Sequence, residues 1–214
     1  MIAPLTQPNL RNIIFDLGDV IIPIDMGAPI RNFATLANLP EETVIALWKQ
    51  HNLWHHYETG VVDDAGFRQH VRQLLGNNTW ADEVIDTTWN SILLDLPIAR
   101  IERILDLNAT GHYRLFLLSN TNAIHVRQVN QLLSNLNQPP LEALFERVFY
   151  SHDVGMAKPS PSIYQHVLTE AGLMADETLF LDDNPANIES ALALGIRAVQ
   201  VVPPLTMLEY LTDV

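Results

Sequence analysis

The stretch Ile13-Ile14-Phe15-Asp16-Leu17-Gly18-Asp19-Val20 decides the fold. Three apolar residues run into a carboxylate, and a glycine two places on lets the main chain pass close to a ligand. Taken alone, Asp16 reads equally as a turn aspartate accepting local backbone N–H groups. The arrangement recurs downstream: residues 115–118 run into Ser119, 148–150 into Ser151 and 179–181 into Asp182. Short continuous apolar runs of this kind are strands buried on both faces. A fifth run, 198–202, follows Gly195 and completes the set. Between them apolar residues recur with the helical period, at Ile98, Ile101, Ile104, Leu105, then Val126, Val129, Leu132, Leu133, then Ile163, Val167, Leu168, Ala171. Strand and helix alternate, which predicts an α/β fold: a doubly wound parallel sheet with helices on both faces and right-handed crossovers. Ligands on such sheets bind at the carboxyl ends of the strands.

One interval breaks the alternation. Residues 23–95 contain no convincing strand. Instead Phe67, Val71, Leu74, Leu75 and later Ile85, Trp89, Ile92 sit at helical spacing, punctuated by Gly60, Gly76 and Asn77-Asn78. The expected organisation is therefore a core of residues 1–22 and 96–214 with an all-helical cap of residues 23–95 inserted after the first strand. Trp48, Trp80 and Trp89 read as bundle core rather than binding platform.

A chain of 214 residues has room for one core and one satellite, and 48% apolar against 17% charged residues exclude extended disorder. The formal net charge of −13 repels nucleic acid and anionic lipid, so neither is expected as a partner. A polyanionic ligand then needs a local cation. No cysteine is present, which removes disulfides and thiolate ligands. Residues 1–10 lack the basic start and apolar run of a secretion signal, and no apolar stretch is long enough to span a bilayer, so a cytoplasmic protein is expected.

Chemistry-bearing residues gather at the strand ends. Ser119-Asn120-Thr121-Asn122 offers a hydroxyl and backbone amides at a helix start, which serve either as a helix cap or as an anion site. Lys158-Pro159-Ser160 puts an ammonium before a proline suited to the first turn of a helix, and only Lys49 and Lys158 are lysines. Asp182-Asp183-Asn184-Pro185 sets two adjacent carboxylates behind a hydrophobic strand, where they repel each other unless a cation or donors compensate. Oxygen-only ligands suit Mg²⁺, which is usually held by one or two carboxylates plus the substrate's phosphate. Each motif has a structural reading of its own. Together, Asp, Ser, Lys and Asp-Asp at four successive strand ends describe phosphoryl transfer, with the lysine and metal spreading charge while a carboxylate attacks in line.

This pattern resembles the haloacid dehalogenase superfamily, whose four short motifs match these positions across the core. The resemblance implies a Rossmann-like fold with a helical cap that closes over the site and chooses the substrate. It further implies that Asp16 is nucleophile and metal ligand, that Ser119 with Asn120 binds the phosphate, that Lys158 stabilises the intermediate, and that Asp183 with Asp182 completes a Mg²⁺ site. Longer stretches, Gly155-Met156-Ala157-Lys158-Pro159 and Asp182-Asp183-Asn184 with Asn187-Ile188-Glu189, look like the bacterial subgroup that contains α-D-glucose-1-phosphate phosphatase. The cap segment Tyr57-Glu58-Thr59-Gly60 is similar to a Glu-x-Gly turn of that subgroup. The implied activity is Mg²⁺-dependent hydrolysis of a small phosphorylated metabolite, a sugar phosphate with sugar 1-phosphates among the candidates, through an aspartyl phosphate on Asp16.

The sequence departs from the pattern at Gly18, where many phosphatases of the superfamily carry a second aspartate. Gly18 still offers its carbonyl to a metal, but general-acid help worth about 10² to 10⁴ in rate must come from elsewhere. Either the leaving group is a relatively acidic anomeric hydroxyl, or Asp19, Asp25, His55, His56 or Glu58 stands in; the sequence does not rank them. Two rivals differ in kind. A 2-haloacid dehalogenase uses the same aspartate without metal, and paired acids beside the nucleophile count against it. A non-catalytic binding protein of the same fold would have little reason to keep all four motifs.

Overall fold

The computed structural model describes residues 9–212 and 214. Residues 1–8, on which the reading about a secretion signal chiefly rests, and Asp213 lie outside the described residues. Five strands, β1 (Asn12–Phe15), β2 (Arg114–Ser119), β3 (Arg147–Tyr150), β4 (Thr178–Asp182) and β5 (Arg197–Gln200), form one sheet in the order β3-β2-β1-β4-β5. Every neighbouring pair is parallel. The last strand begins one residue before the apolar run that announced it and stops short of Val201. Phe15 lies in register with Leu117 and Leu181, so the residue after β1 and the ends of β2 and β4 share one rim.

Helices α1 (Ala28–Ala37), α2 (Glu41–His51), α3 (Leu53–Glu58), α4 (Asp64–Leu74) and α5 (Asp82–Asn90) follow β1, and α6 (Ile98–Thr110) leads into β2. Next come α7 (Ala123–Asn135) and α8 (Leu141–Leu144) before β3, then α9 (Ser151–Val154) and α10 (Pro161–Ala171) before β4. α11 (Pro185–Ala193) joins β4 to β5, and α12 (Met207–Tyr210) ends the chain. No described helix is long and apolar enough to cross a membrane.

The central strands explain their own sequence, since both faces are covered. Ile13, Phe15, Leu115, Leu117, Leu179 and Leu181 pack with α6, α7 and α8 on one side. Ile14, Phe116, Leu118 and Phe180 pack with α10 and α11 on the other. Strands buried on both faces need continuous apolar runs rather than alternation. The helices α1 to α5 build a separate cluster around Phe33, Val44, Tyr57, Phe67, Val71 and Ile85, with Trp48 and Trp89 inside it and Trp80 at its margin. Trp89 also ties this layer to the sheet domain. Its ring stacks on His125 of α7 at 5.0 Å, and its indole N–H donates to Asn122 Oδ1 at 3.3 Å.

Candidate active site

Asp16 follows β1 at the carboxyl rim and is 7% exposed, its N–H donating to the Leu181 carbonyl at 2.8 Å. The Lys158 ammonium reaches it from the far side of β2. Nζ donates to Asp16 Oδ1 at 2.7 Å, to Asp182 Oδ2 at 2.6 Å and to the Leu118 carbonyl at 3.0 Å. An ammonium has three hydrogens, and all three are committed to the protein. Burial alone would strip the proton from this lysine, but Asp16 and Asp182 outweigh it and hold its pKa above the usual lysine value.

Asp182 closes β4 with no exposed surface. Besides Lys158, it accepts both contacts of the Asn187 amide at 2.9 and 3.0 Å and the Asn184 N–H at 2.8 Å. In the sequence Asn187 is marked only by the stretch Asn187-Ile188-Glu189. Its five-residue offset from Asp182 on the first turn of α11 is the signal that places the amide there. Asp183, by contrast, is half-buried and turned to the rim, with only its main-chain carbonyl engaged, by Gln200 at 2.9 Å.

The cradle is fixed by short polar clamps. The Asn120 side chain donates to the Lys158 carbonyl at 2.8 Å and accepts from the Lys158 N–H at 2.9 Å, so its amide positions the lysine's main chain. The Ser151 hydroxyl accepts from the Thr121 N–H at 2.9 Å and donates to the Thr121 carbonyl at 3.1 Å. Asn122 is the N-cap of α7, accepting from His125 N at 3.1 Å, which frees Ser119 from capping. Pro159 is not the helix-opening proline: α10 starts at Pro161 behind Ser160, because the chain between Lys158 and Ser160 turns before the helix begins. Pro185 does occupy the first position of α11. Lys49 lies exposed on α2 and lines neither cavity beside this rim.

One carboxylate oxygen from each of Asp16, Asp182 and Asp183 lies within 4.8 Å of the others. Three acids face one ammonium. Burial, more than neighbouring charge, pushes the Asp16 carboxyl up to about 7 and raises Asp183 as well. A cluster that destabilises its own ionised form, offers only oxygen donors and has a half-exposed member fits a hard divalent cation.

Two cavities adjoin the cluster. One of about 70 Å³ is lined by Leu17, Gly18, Ser119, Asn120, Thr121 and, from the helical layer, Trp54 and Glu58. The other, about 390 Å³, is lined by Asp19, Arg100, Asp183, Gln200 and the loop after β5. The smaller touches Ser119 and the Leu17-Gly18 segment that follows Asp16, whereas the larger touches Asp183 but none of Asp16, Ser119 and Lys158. The structure thus brings Asp16, Ser119, Asn120, Lys158, Asp182, Asp183 and the Gly18 backbone to one rim.

The model of the haloacid dehalogenase-like hydrolases matches residues 10–195. The chain belongs to that family. It is 26% identical over 191 residues to the D-ribitol-5-phosphate phosphatase of Bacteroides thetaiotaomicron, covering 89% of this chain and 91% of that one. It is 24% identical to a sesquiterpene phosphatase of Aspergillus oryzae, covering 90% of each. Among solved structures, a family enzyme from Bacteroides thetaiotaomicron in complex with magnesium and inorganic phosphate superposes with a TM-score of 0.81 at 31% identity, over 91% of this chain and 96% of that one. A hydrolase of the same type from Porphyromonas gingivalis gives 0.85 at 26% identity, over 95% and 97%. A dehalogenase at 18% identity gives 0.62, a likeness of fold alone. The α/β sheet and its hydrolase assignment therefore stand as the sequence indicated.

Proposed function

We propose that this haloacid dehalogenase-like hydrolase is a Mg²⁺-dependent phosphatase of a small sugar or polyol phosphate, working through an aspartyl phosphate on Asp16. The observation that carries the reading is the Lys158 ammonium lodged between Asp16 and Asp182, with Asp183 left open at the rim. Paired acids of this kind have no use in displacing halide, whereas they suit a cation and a phosphate together. The relatives named for phosphatase activity and the magnesium and phosphate of the superposed enzyme support the same reading.

Asp16, Asp183 and the Gly18 carbonyl would hold the cation, with Asp182 serving chiefly as the anchor of Lys158. When bound, a divalent cation supplies positive charge against the phosphoryl oxygens and keeps Asp16 ionised. Asp16 Oδ1 stays on Lys158 while Oδ2 attacks phosphorus, and the alcohol leaves in line. As charge moves from Asp16 to the phosphoryl group, the Lys158 ammonium keeps its protons and its positive charge offsets the charge that builds on the phosphoryl oxygens. Ser119 and the main chain of Asn120 hold the remaining oxygens, while the Thr121 N–H stays on Ser151 and fixes the loop. Preorganisation comes from Asn187, Asn184 and Asn120, which fix Asp182 and Lys158 before substrate arrives.

Residues 23–95 act as the cap over residues 1–22 and 96–214. The cavity of about 70 Å³ holds roughly two water molecules, so a phosphate ester enters only after the helical layer moves. Phosphate release from sugar 1-phosphates, sugar 5- and 6-phosphates and polyol phosphates, each with Mg²⁺ or EDTA, tests the reading. Metal-dependent release that Asp16→Asn abolishes is expected. Release unaffected by EDTA, or turnover by Asp16→Asn at the wild-type rate, would refute it.

A further inference from the structure

The cavity beside the nucleophile has a cap wall, and one acid stands in it. Glu58 closes α3 and lines the same cavity as Gly18, Leu17 and Ser119. The Trp54 side chain lies against its carboxyl group and works to lower its pKa. The other acids and histidines near the rim are elsewhere. Asp25 is paired with Arg31 and caps Gly27. Asp19 accepts from Ile24 N at 3.0 Å and lines the opposite cavity. His55 is exposed, and neither it nor His56 borders the cavity. His125 does border it, but burial pushes its pKa down to about 3, so it carries no proton to give at neutral pH.

Position 18 is crowded by Ile24. A Cβ built there lies 3.1 Å from Ile24 Cδ1, a tight contact that the end of the Ile24 side chain would have to relieve, so an acid at this position competes with Ile24 for space. Ile24 and Glu58 line one cavity with Gly18. The floor position is apolar and the acid is in the roof.

Resting on the phosphatase reading, we propose that Glu58 is the catalytic acid and base of the reaction, supplied by the helical layer in place of a side chain at position 18. In the first half-reaction the Glu58 carboxyl proton passes to the ester oxygen as the P–O bond to the alcohol breaks and the bond from Asp16 Oδ2 to phosphorus forms. Alcohol, aspartyl phosphate and Glu58 carboxylate result. In the second, Glu58 takes a proton from water as that water bonds to phosphorus and the Asp16–phosphorus bond breaks, which restores both carboxyl groups and releases phosphate. Burial holds the Glu58 carboxyl near 7, with the Trp54 side chain and the Lys158 charge pulling the other way, a value suited to both duties at neutral pH. Lys158 and His125 are the other titratable groups that act on it or share its cavity.

The test compares an alkyl phosphate, whose alcohol must be protonated, with p-nitrophenyl phosphate, whose phenolate leaves unaided. Glu58→Gln should lower kcat/KM for the alkyl ester by about 10² to 10⁴, and by a factor about tenfold smaller for the aryl ester. Glu58→Asp should recover part of the alkyl activity, and the alkaline limb of the alkyl pH profile should vanish in Glu58→Gln. Equal losses on the two esters, or an unchanged alkyl rate, would overturn the assignment. Should Glu58→Gln fail to fold, the wild-type enzyme still decides: a solvent deuterium effect on kcat/KM larger for the alkyl than for the aryl ester is expected, and no difference overturns the proposal. Wild-type protein that releases phosphate from neither ester refutes the phosphatase reading itself, a result distinct from a variant that keeps its alkyl activity.

Discussion

Replacing Lys158 by Met isolates what the buried ammonium does for the fold. The side chain is 1% exposed and is bonded to two carboxylates and a carbonyl, so the variant leaves Asp16 and Asp182 facing each other without a counter-charge. Removing one partner of a buried ion pair costs about 3–5 kcal/mol, and methionine fills most of the vacated volume, so cavity formation adds little. For a chain of this length each kcal/mol moves the midpoint by about 2–4 °C, which puts the expected loss near 6–20 °C at pH 8 in EDTA. The sign of the pH dependence follows from Asp16. Its folded pKa, already about 7, rises further once Lys158 is gone, so the native state binds more protons than the unfolded chain between the ordinary carboxylate value and pH 7 or above. Stability of the variant therefore falls as pH rises through that window, and the deficit against wild type shrinks at pH 5. Thermal melting followed by circular dichroism at both pH values reads this directly. A variant melting within about 2 °C of wild type at pH 8, or one with the same deficit at both pH values, would show that the ammonium is not what allows these acids to be buried.

Asn187→Ala removes both amide contacts to Asp182 and should cost about 1.5–3 kcal/mol in urea unfolding, with kcat falling more than KM rises because Lys158 loses its anchor; wild-type kcat would refute the positioning role. Gly60 has φ +69, and a Cβ there would overlap the His152 carbonyl oxygen, so Gly60→Ala should cost about 2–4 kcal/mol, whereas Gly76→Ala, at φ +70 in open space, should cost only about 1–2. Equal costs would mean that the contact between the helical layer and α9 is not tight.

The sheet could be read from the sequence because a strand covered on both faces leaves an unbroken apolar run, and the runs of β1, β2 and β4 end where the chemistry starts. Asp16, Ser119 and the Asp182-Asp183 pair are visible for that reason, and Lys158 through its place before Pro159 and the scarcity of lysine. What the two adjacent acids do could not be read. Alternation along a strand sends one into the interior toward Lys158 and Asn187 and the other to the rim, and that split depends on where β4 stops. The Asn120 amide clamps the main chain of Lys158, a partner 38 residues away that no local pattern announces, which leaves the Asn120 main chain for the phosphate role the resemblance implies. The helical interval was legible as helix, and Trp48 and Trp89 as its interior, but its docking through Trp89 and His125 was not, since a tryptophan that faces a bundle and one that faces a neighbour share one periodicity.

On the proposal made for Glu58, the division of labour has a kinetic consequence. An acid on the sheet rim is present whether or not the layer above is seated, whereas an acid on α3 reaches the ester oxygen only when that layer has closed. The nucleophile and its ammonium are preassembled on β1, β2 and β4, yet the proton is delivered by the part of the chain that also contacts the alcohol. An alcohol that prevents α3 from seating therefore forfeits proton transfer as well as binding, and selectivity among alkyl esters is expressed in kcat rather than in KM alone. Measured across a series of polyol phosphates of increasing length, kcat should fall sharply once the chain outgrows the closed cavity, while the same additions on an aryl phosphate should act mainly on KM. Parallel changes in the two series would mean that closure and proton delivery are not coupled.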